Sequence, residues 1–135
     1  MIQHIIPALL REGHLGGEAG IVPSLVHGDL WMANQIKGHV EGWEGIQATT
    51  FDPSSVYAHN EYEFAIMRLF GGFLAGFWSH YHAVRPKTEP VAEYEDRLKL
   101  YSLYHLLNHY AMDAGGWRDD AIEVVQELWD KYGGR

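Results

Sequence analysis

The sequence predicts an α+β fold that is mainly helical, and three observations carry this prediction. Short apolar stretches separated by turn residues occupy the region between residues 24 and 51, as is typical of short strands. From Glu61 onward, apolar residues recur at helical spacing instead. The length of 135 residues and the hydrophobic content of 47% fit one domain with its own core. We therefore expect short strands around a loop, followed by about three helices.

The first 22 residues predict the end of a helix and a Gly-rich connector. An apolar stretch at 2–10 precedes the stretch at 13–20, which has four glycines in eight residues, as is typical of a flexible connector. No signal peptide is expected, because the apolar start lacks a basic region and contains Pro7. Residues 23–135 form the predicted globular domain.

Three short apolar stretches after the connector predict strands around a loop. The first covers residues 24–27, and the second and third cover 35–40 and 45–51 with a turn between them. We expect short strands or a hairpin here, with the loop at 27–34 among them.

Helical spacing continues towards the end of the chain. Asn60 is a candidate N-cap for the first helix, and Pro86 and Pro90 separate that helix from the second. Gly115 and Gly116 are expected to end the second helix. The predicted helices cover residues 61–84, 91–112 and 119–132. The apolar stripe of the third helix contains Ile122, Val125, Trp129 and Tyr132.

Composition and charge exclude several classes of protein. Ten Lys and Arg against eighteen Asp and Glu give a net charge of -8, so no nucleic-acid partner is expected. The longest stretch made only of apolar residues and glycine, residues 69–78, is about half of the roughly 20 residues that cross a bilayer, so no membrane span is expected. The absence of cysteine removes disulfides and cysteine nucleophiles and gives no sign of secretion. We expect a cytoplasmic protein.

Three polar residues carry the predicted chemistry. Asp29, Asn34 five positions later, and Asp52 at the end of the next strand pair form the arrangement that phosphoryl transfer to a hydroxyl requires. The first carboxylate would orient the acceptor hydroxyl and take its proton, while Asn34 and Asp52 would hold Mg²⁺ against the phosphates of a nucleotide. The alternative is that Asp29 and Asn34 are ordinary turn residues. The flanking residues favour the kinase interpretation.

Several motifs together resemble a known family. The sequence is similar to the C-terminal lobe of fructosamine/ketosamine 3-kinases, in the aminoglycoside phosphotransferase and choline kinase group of the protein-kinase-like fold. The resemblance covers roughly residues 23–112. Its motifs are His27-Gly28-Asp29-Leu30-Trp31 with Asn34, Phe51-Asp52-Pro53, Tyr57 to Glu61, Met67 to Phe73, and Leu100 to His109.

The resemblance implies an activity and a set of roles. The activity is ATP-dependent phosphorylation of the C3 hydroxyl of fructosamines or ribulosamines on glycated amines, which leads to protein deglycation. The resemblance implies that Asp29 is the catalytic base and that Asn34 and Asp52 are Mg²⁺ ligands. Asn34 lies in the catalytic loop (27–34), and Asp52 lies in the metal-binding segment (51–53). His27 would hold the catalytic loop in place, and Trp31 and Glu61 would be supporting residues.

The sequence departs from the family pattern in two places. Met32-Ala33 stands where the family often has Ser-Gly, and we expect an effect on loop packing. Asn60-Glu61 and Glu63-Phe64 stand where many relatives read Arg-Glu and Asp-Leu, and we expect altered substrate contacts at this helix start.

A complete kinase of this fold also needs an N-terminal lobe with a Gly-rich loop and a lysine facing the phosphates. All four lysines of this chain follow Asp29, and 13–20 is not such a loop, so we expect the N-terminal lobe to be absent. Weak nucleotide affinity, no turnover by this chain alone and self-association through an exposed inter-lobe face are the expected consequences.

Three rival interpretations exist. His105 and His109 share a helix face as two zinc ligands could, although packed histidines are the simpler explanation. The five Trp and eight Tyr could form a stacking surface, although core packing explains most of them better. The chain could also be a non-catalytic, kinase-derived module that binds or regulates a partner.

Overall fold

The computed structural model describes residues 3–134, which form a mixed, mainly helical fold with two small sheets. Short 3-10 turns lie at Gly17–Ala19, Met32–Asn34 and Val91–Glu93. The strands are β1 (Ser24–Val26), β2 (Gln35–Gly38), β3 (Gln47–Thr50) and β4 (Val56–Ala58). The helices are α1 (Ile5–Leu10), α2 (Glu61–Phe70), α3 (Ala75–Val84), α4 (Tyr94–Asp113) and α5 (Trp117–Tyr132).

Two antiparallel strand pairs surround the catalytic loop. β2 and β3 form the expected hairpin, in which Gln35 pairs with Thr50. β1 pairs with β4, and Ser24 lies opposite Ala58. The sequence did not predict β4, because its three residues are too few to show an alternating pattern. Through this pairing, the residues after the metal-binding segment return beside the strand that leads into the catalytic loop.

The prediction of one helix over 61–84 is wrong, because the chain leaves the helix after Phe70. Gly71 and Gly72 have φ angles of +69° and +93°, in the left-handed region that ends right-handed helices. A Cβ on Gly72 would lie 2.9 Å from the Cβ of Met32, so the chain passes the catalytic loop closely at this break. Phe73 and Phe77 continue the helical spacing of apolar residues across the break, so the sequence pattern does not show it.

Helix α4 lies at the centre of the fold and packs against α1, α2 and α5. The predicted stripe of α5 is partly wrong: Ile122 and Trp129 are nearly half exposed, while Ala121, Leu128 and Tyr132 are buried. Asn60 stands at the N-cap position of α2 but makes no capping hydrogen bond. None of the helices in the described part of the chain is long and apolar enough to span a membrane.

Candidate active site

The catalytic loop begins with a turn that requires glycine. Gly28 has a φ of +80°, and a Cβ at this position would lie 3.2 Å from the Cβ of Ser54. Both the backbone conformation and the space therefore disfavour a side chain. The turn places Asp29 three residues after the end of β1.

Asn34 is tied to Asp29. Its Nδ2 donates hydrogen bonds to Oδ2 of Asp29 at 3.0 Å and to the backbone oxygen of Asp29 at 2.9 Å. Both amide hydrogens are therefore used on one residue, and Oδ1 is the atom of the buried Asn34 side chain that can still accept or coordinate. The five-residue spacing thus brings the carboxylate and the amide into direct contact.

Two hydrogen bonds connect the catalytic loop to the metal-binding segment. The backbone N–H of Phe51 donates to the backbone oxygen of Asn34 at 3.2 Å. His27 donates from Nε2 to the backbone oxygen of Phe51 at 2.9 Å. Asp52, the next residue, has an exposed side chain and a φ of +57°. A non-glycine residue in this conformation costs about 1 kcal/mol or more, and such positions cluster at functional sites.

Glu63, in the first turn of α2, holds the backbone of the catalytic loop. Its carboxylate accepts hydrogen bonds from the backbone N–H groups of His27, of Gly28 at 3.0 Å and of Leu30 at 3.3 Å. The sequence suggested only that this helix start would alter substrate contacts, and Glu63 does not line the cleft described below. One signal pointed to Glu63, an acidic residue in the first turn of α2 that lies among buried apolar residues. Only the tertiary structure shows which groups it binds.

Glu61 belongs to a buried ion pair away from the cleft. Glu61 is 1% exposed and Arg97 is 0% exposed, with Nε to Oε2 at 2.7 Å. Arg97 also donates to the backbone oxygens of Thr88 and Pro90, and Glu61 accepts from the backbone N–H of Thr88. The supporting role of Glu61 in this structure is to anchor the segment between α3 and α4.

An open cleft of about 820 Å³ lies on one side of the catalytic loop. Asp29 lines the cleft, whereas Asn34 and Asp52 do not, so Asp29 connects the cleft with Asn34. Trp31 also lines it and lies 5.2 Å from the ring of Phe70. The remaining lining residues come from two loops, strand β4 and two helices: Gly28, Ser54, Val56, Tyr62, Ile66, Tyr104, His105, Asn108, His109 and Met112.

His105 and His109 stand at the α4 wall of the cleft. His109 donates from Nδ1 to the backbone oxygen of His105 at 2.7 Å. His105 is buried, its Nε2 has no hydrogen-bond partner, and burial, followed by the nearby His109, lowers its pKa to about 4. In residues 3–134 no three His, Cys, Asp or Glu side chains converge as a metal site does.

Comparison with known proteins identifies the family. The sequence model described as "Fructosamine kinase" matches residues 3–131. The chain belongs to the fructosamine kinase family. This result confirms the resemblance inferred from the motifs.

Named relatives and one solved structure give the extent of the similarity. The chain is 39% identical to the ketosamine-3-kinase of Mus musculus over 94% of its own length and 36% of the mouse protein. It is 39% identical to a chloroplastic protein-ribulosamine 3-kinase of Oryza sativa subsp. indica, over 78% of this chain and 28% of the relative. A crystal structure from Thermobifida fusca, assigned as a fructosamine-3-kinase, has 26% identity and a TM-score of 0.65 over 80% of this chain and 35% of that one. The chain spans about a third of the length of these relatives.

Proposed function

We propose that this fructosamine kinase family chain contains the catalytic and metal-binding residues of an ATP-dependent ketosamine 3-kinase, within the C-terminal lobe of a protein-kinase-like fold. One observation carries the proposal: Asp29 lines the open cleft and is also hydrogen-bonded to Asn34. A base for phosphoryl transfer needs this position, between the acceptor on one side and the nucleotide phosphates on the other. The family members named as ketosamine and ribulosamine 3-kinases support a ketosamine acceptor.

One residue of the site transfers a proton, and the others hold that residue and the catalytic loop in position. Asp29 orients the C3 hydroxyl of the acceptor and takes its proton as the phosphoryl group arrives. Asn34 fixes the carboxylate of Asp29 through Nδ2. His27 holds the metal-binding segment in place, and Glu63 holds the backbone of the catalytic loop in place.

The side chains present fit Mg²⁺ together with a nucleotide. Asn34 has its Oδ1 available, and Asp52 adds an exposed carboxylate on the segment tied to Asn34. Mg²⁺ prefers such oxygen ligands and takes the remainder from water and phosphate. When bound, Mg²⁺ neutralises negative charge on the phosphates.

Calorimetry with Mg-ATP tests the proposal on this chain. We expect weak, Mg²⁺-dependent binding that is lost in Asp52→Ala and kept in Asp120→Ala, a matched loss of an exposed carboxylate on α5. No binding at millimolar nucleotide would overturn the proposal and favour a non-catalytic module. Binding that survives Asp52→Ala would contradict the proposed ligand role of Asp52.

We also propose that the isolated chain has no measurable turnover. The described residues provide no lysine on the side of the chain before Asp29, where a phosphate-binding lysine would be needed. A Mg²⁺-dependent phosphorylation of a fructosyl-amine by the pure chain, abolished by Asp29→Asn, would contradict this.

Location and partners remain proposals of the same kind. We propose that the protein is cytoplasmic. Because the names of plant relatives place them in the chloroplast, cell fractionation is the test of this proposal. We further propose self-association through the exposed inter-lobe face, to which we assign the exposed apolar residues of the β2–β3 hairpin, among them Ile36, Trp43 and Ile46.

A further inference from the structure

A second cavity, of about 330 Å³, lies between β1, α2 and α3, and we call it the α3 cavity. It shares no lining residue with the cleft that contains Asp29. His27 and Leu30 of the catalytic loop line it, so the cavity is adjacent to that loop. Its volume falls in the range of sites that hold small organic molecules.

One face of α3 changes from apolar to cationic along the α3 cavity. Phe77, Tyr81 and Arg85 line the cavity at intervals of four residues, which places them on one side of the helix. Arg85 continues the last turn, because its backbone N–H donates to the backbone oxygen of Tyr81 at 2.8 Å. The buried side chains of Phe64 and Met67 add an apolar wall from α2. The cavity therefore has an apolar part and a cationic end.

Arg85 is a cation without a counterion. Its side chain is partly buried, and within residues 3–134 it has no carboxylate at salt-bridge distance. Its one side-chain hydrogen bond there is long, from Nη2 to the backbone oxygen of Val22 at 3.4 Å. A guanidinium carries five N–H donors, so most of those of Arg85 have no acceptor. The buried Arg97, by contrast, is paired with Glu61.

The hydroxyl of Tyr81 is a second donor at the cationic end. It accepts a hydrogen bond from Nδ2 of Asn60 at 3.2 Å, and its own hydrogen has no acceptor among the described residues. Glu63 is the only carboxylate in the lining, and hydrogen bonds from backbone N–H groups of the catalytic loop already spread its charge. A guanidinium and a hydroxyl that both have donors to spare favour a carboxylate.

We infer that the α3 cavity binds a small aromatic carboxylate, with its carboxylate at Arg85 and Tyr81 and its ring against Phe64 and Phe77. The ring centroids of Phe64 and Tyr81 lie 4.8 Å apart in an edge-to-face arrangement, and a further ring extends such packing. An inorganic anion would leave the apolar walls without a partner. An uncharged aromatic molecule would leave the donors of Arg85 unused.

Titration of the full chain with three probes, followed by NMR, tests this inference. The probes are 3-phenylpropionate, its uncharged amide, and acetate, which has the charge without the ring. We expect 3-phenylpropionate to bind at least about tenfold more tightly than the other two. Its binding should shift the amide signals of Val26 and Leu30 but not those of Asn108 and His109 in the cleft.

Three results of the titration would overturn the inference. The first is an amide that binds as tightly as the acid, since Arg85 would then have no role. The second is the absence of saturation by about 10 mM 3-phenylpropionate, which is weaker than a specific site of this size requires. The third is a set of shifts confined to the cleft, which would place the ligand elsewhere.

Variants of the donors show whether they hold the carboxylate. Arg85→Gln should weaken binding of 3-phenylpropionate at least about tenfold, whereas Arg85→Lys keeps the charge and should retain part of the affinity. Tyr81→Phe should weaken it about threefold, because the ring remains and one donor is lost. Arg118→Gln is the matched control, since Arg118 is exposed on α5 and does not line the cavity. Full affinity in Arg85→Gln, or an equal loss in the control, overturns the inference. Circular dichroism checks that each variant is folded.

This inference does not depend on the proposed function. Asp29, Asn34 and Asp52 do not line the α3 cavity, so Arg85→Gln should leave Mg-ATP binding unchanged. If 3-phenylpropionate binds as expected while Mg-ATP does not, the proposed function fails and the α3 cavity stands. If Mg-ATP binds as proposed while 3-phenylpropionate does not saturate, only the inference fails.

Discussion

The strand region and the helical region of this molecule are held together in different ways. Between residues 35 and 58 no residue is buried, and the two strand pairs and the loops are joined by backbone and side-chain hydrogen bonds. Around α4, by contrast, buried apolar side chains from α1, α2 and α5 form three clusters. The comparison indicates that the helices supply most of the stability, while a few polar contacts set the geometry of the site.

The buried ion pair between Glu61 and Arg97 gives the largest expected effect. Arg97→Met leaves the carboxylate of Glu61 buried without its partner and should lower the free energy of unfolding by about 3–5 kcal/mol. Urea denaturation measures this change. The double variant Glu61→Gln with Arg97→Met should recover part of the loss, and a single variant as stable as the wild type would contradict the assignment.

Glu63 is one of the contacts between the helices and the catalytic loop, and its removal should act locally. Glu63→Ala leaves the N–H groups of His27, Gly28 and Leu30 without their acceptor, at a cost of about 1–3 kcal/mol. Hydrogen exchange should accelerate at these amides more than at amides of α4. Glu63→Gln keeps an acceptor oxygen and should retain part of the protection. Uniform acceleration across the chain would mean that Glu63 stabilises the whole fold instead.

The buried His105 predicts a dependence of stability on pH. In the unfolded chain His105 binds a proton near pH 6.5, whereas in the folded chain its pKa is about 4. The unfolded state therefore binds more protons between these values, and stability should fall by about 2.6 kcal/mol as pH falls from about 6.5 to about 4.

The variant His105→Phe separates this effect from that of other groups. The pKa of His59 is also lowered, first by burial, so the wild type carries a second contribution of the same sign. The variant should show a shallower fall of the melting temperature with pH. An unchanged slope would show that His105 does not cause the dependence.

The exposed hairpin gives the smallest expected change in stability. Trp43 is 68% exposed, and Trp43→Ser should change the free energy of unfolding by no more than about 0.5 kcal/mol. Sedimentation velocity should nevertheless shift from associated species towards the monomer. Leu74→Ser, at an equally exposed site outside the hairpin, should leave the sedimentation profile unchanged. Equal effects of both variants would remove the hairpin as the contact surface.

Local patterns predicted some of these features, and tertiary contacts determined the others. The β2–β3 hairpin was predictable because its strands are adjacent in sequence. The spacing of five placed Asp29 and Asn34 in one loop, whereas the hydrogen bond between them is a finding of the structure. The break after Phe70 was not predictable, because the helical spacing of apolar residues continues through it. The partners of Glu63 lie 33 to 36 positions away, and no local pattern identifies them.

The close approach of Gly72 to Met32 constrains how the two segments can change during evolution. Because a Cβ on Gly72 would contact Met32, a larger residue at one position requires a smaller one at the other. The exchange is asymmetric, since Gly72 also has a φ of +93°, which a shorter residue 32 cannot relieve. Position 32 can therefore become smaller without strain, whereas position 72 must stay a glycine.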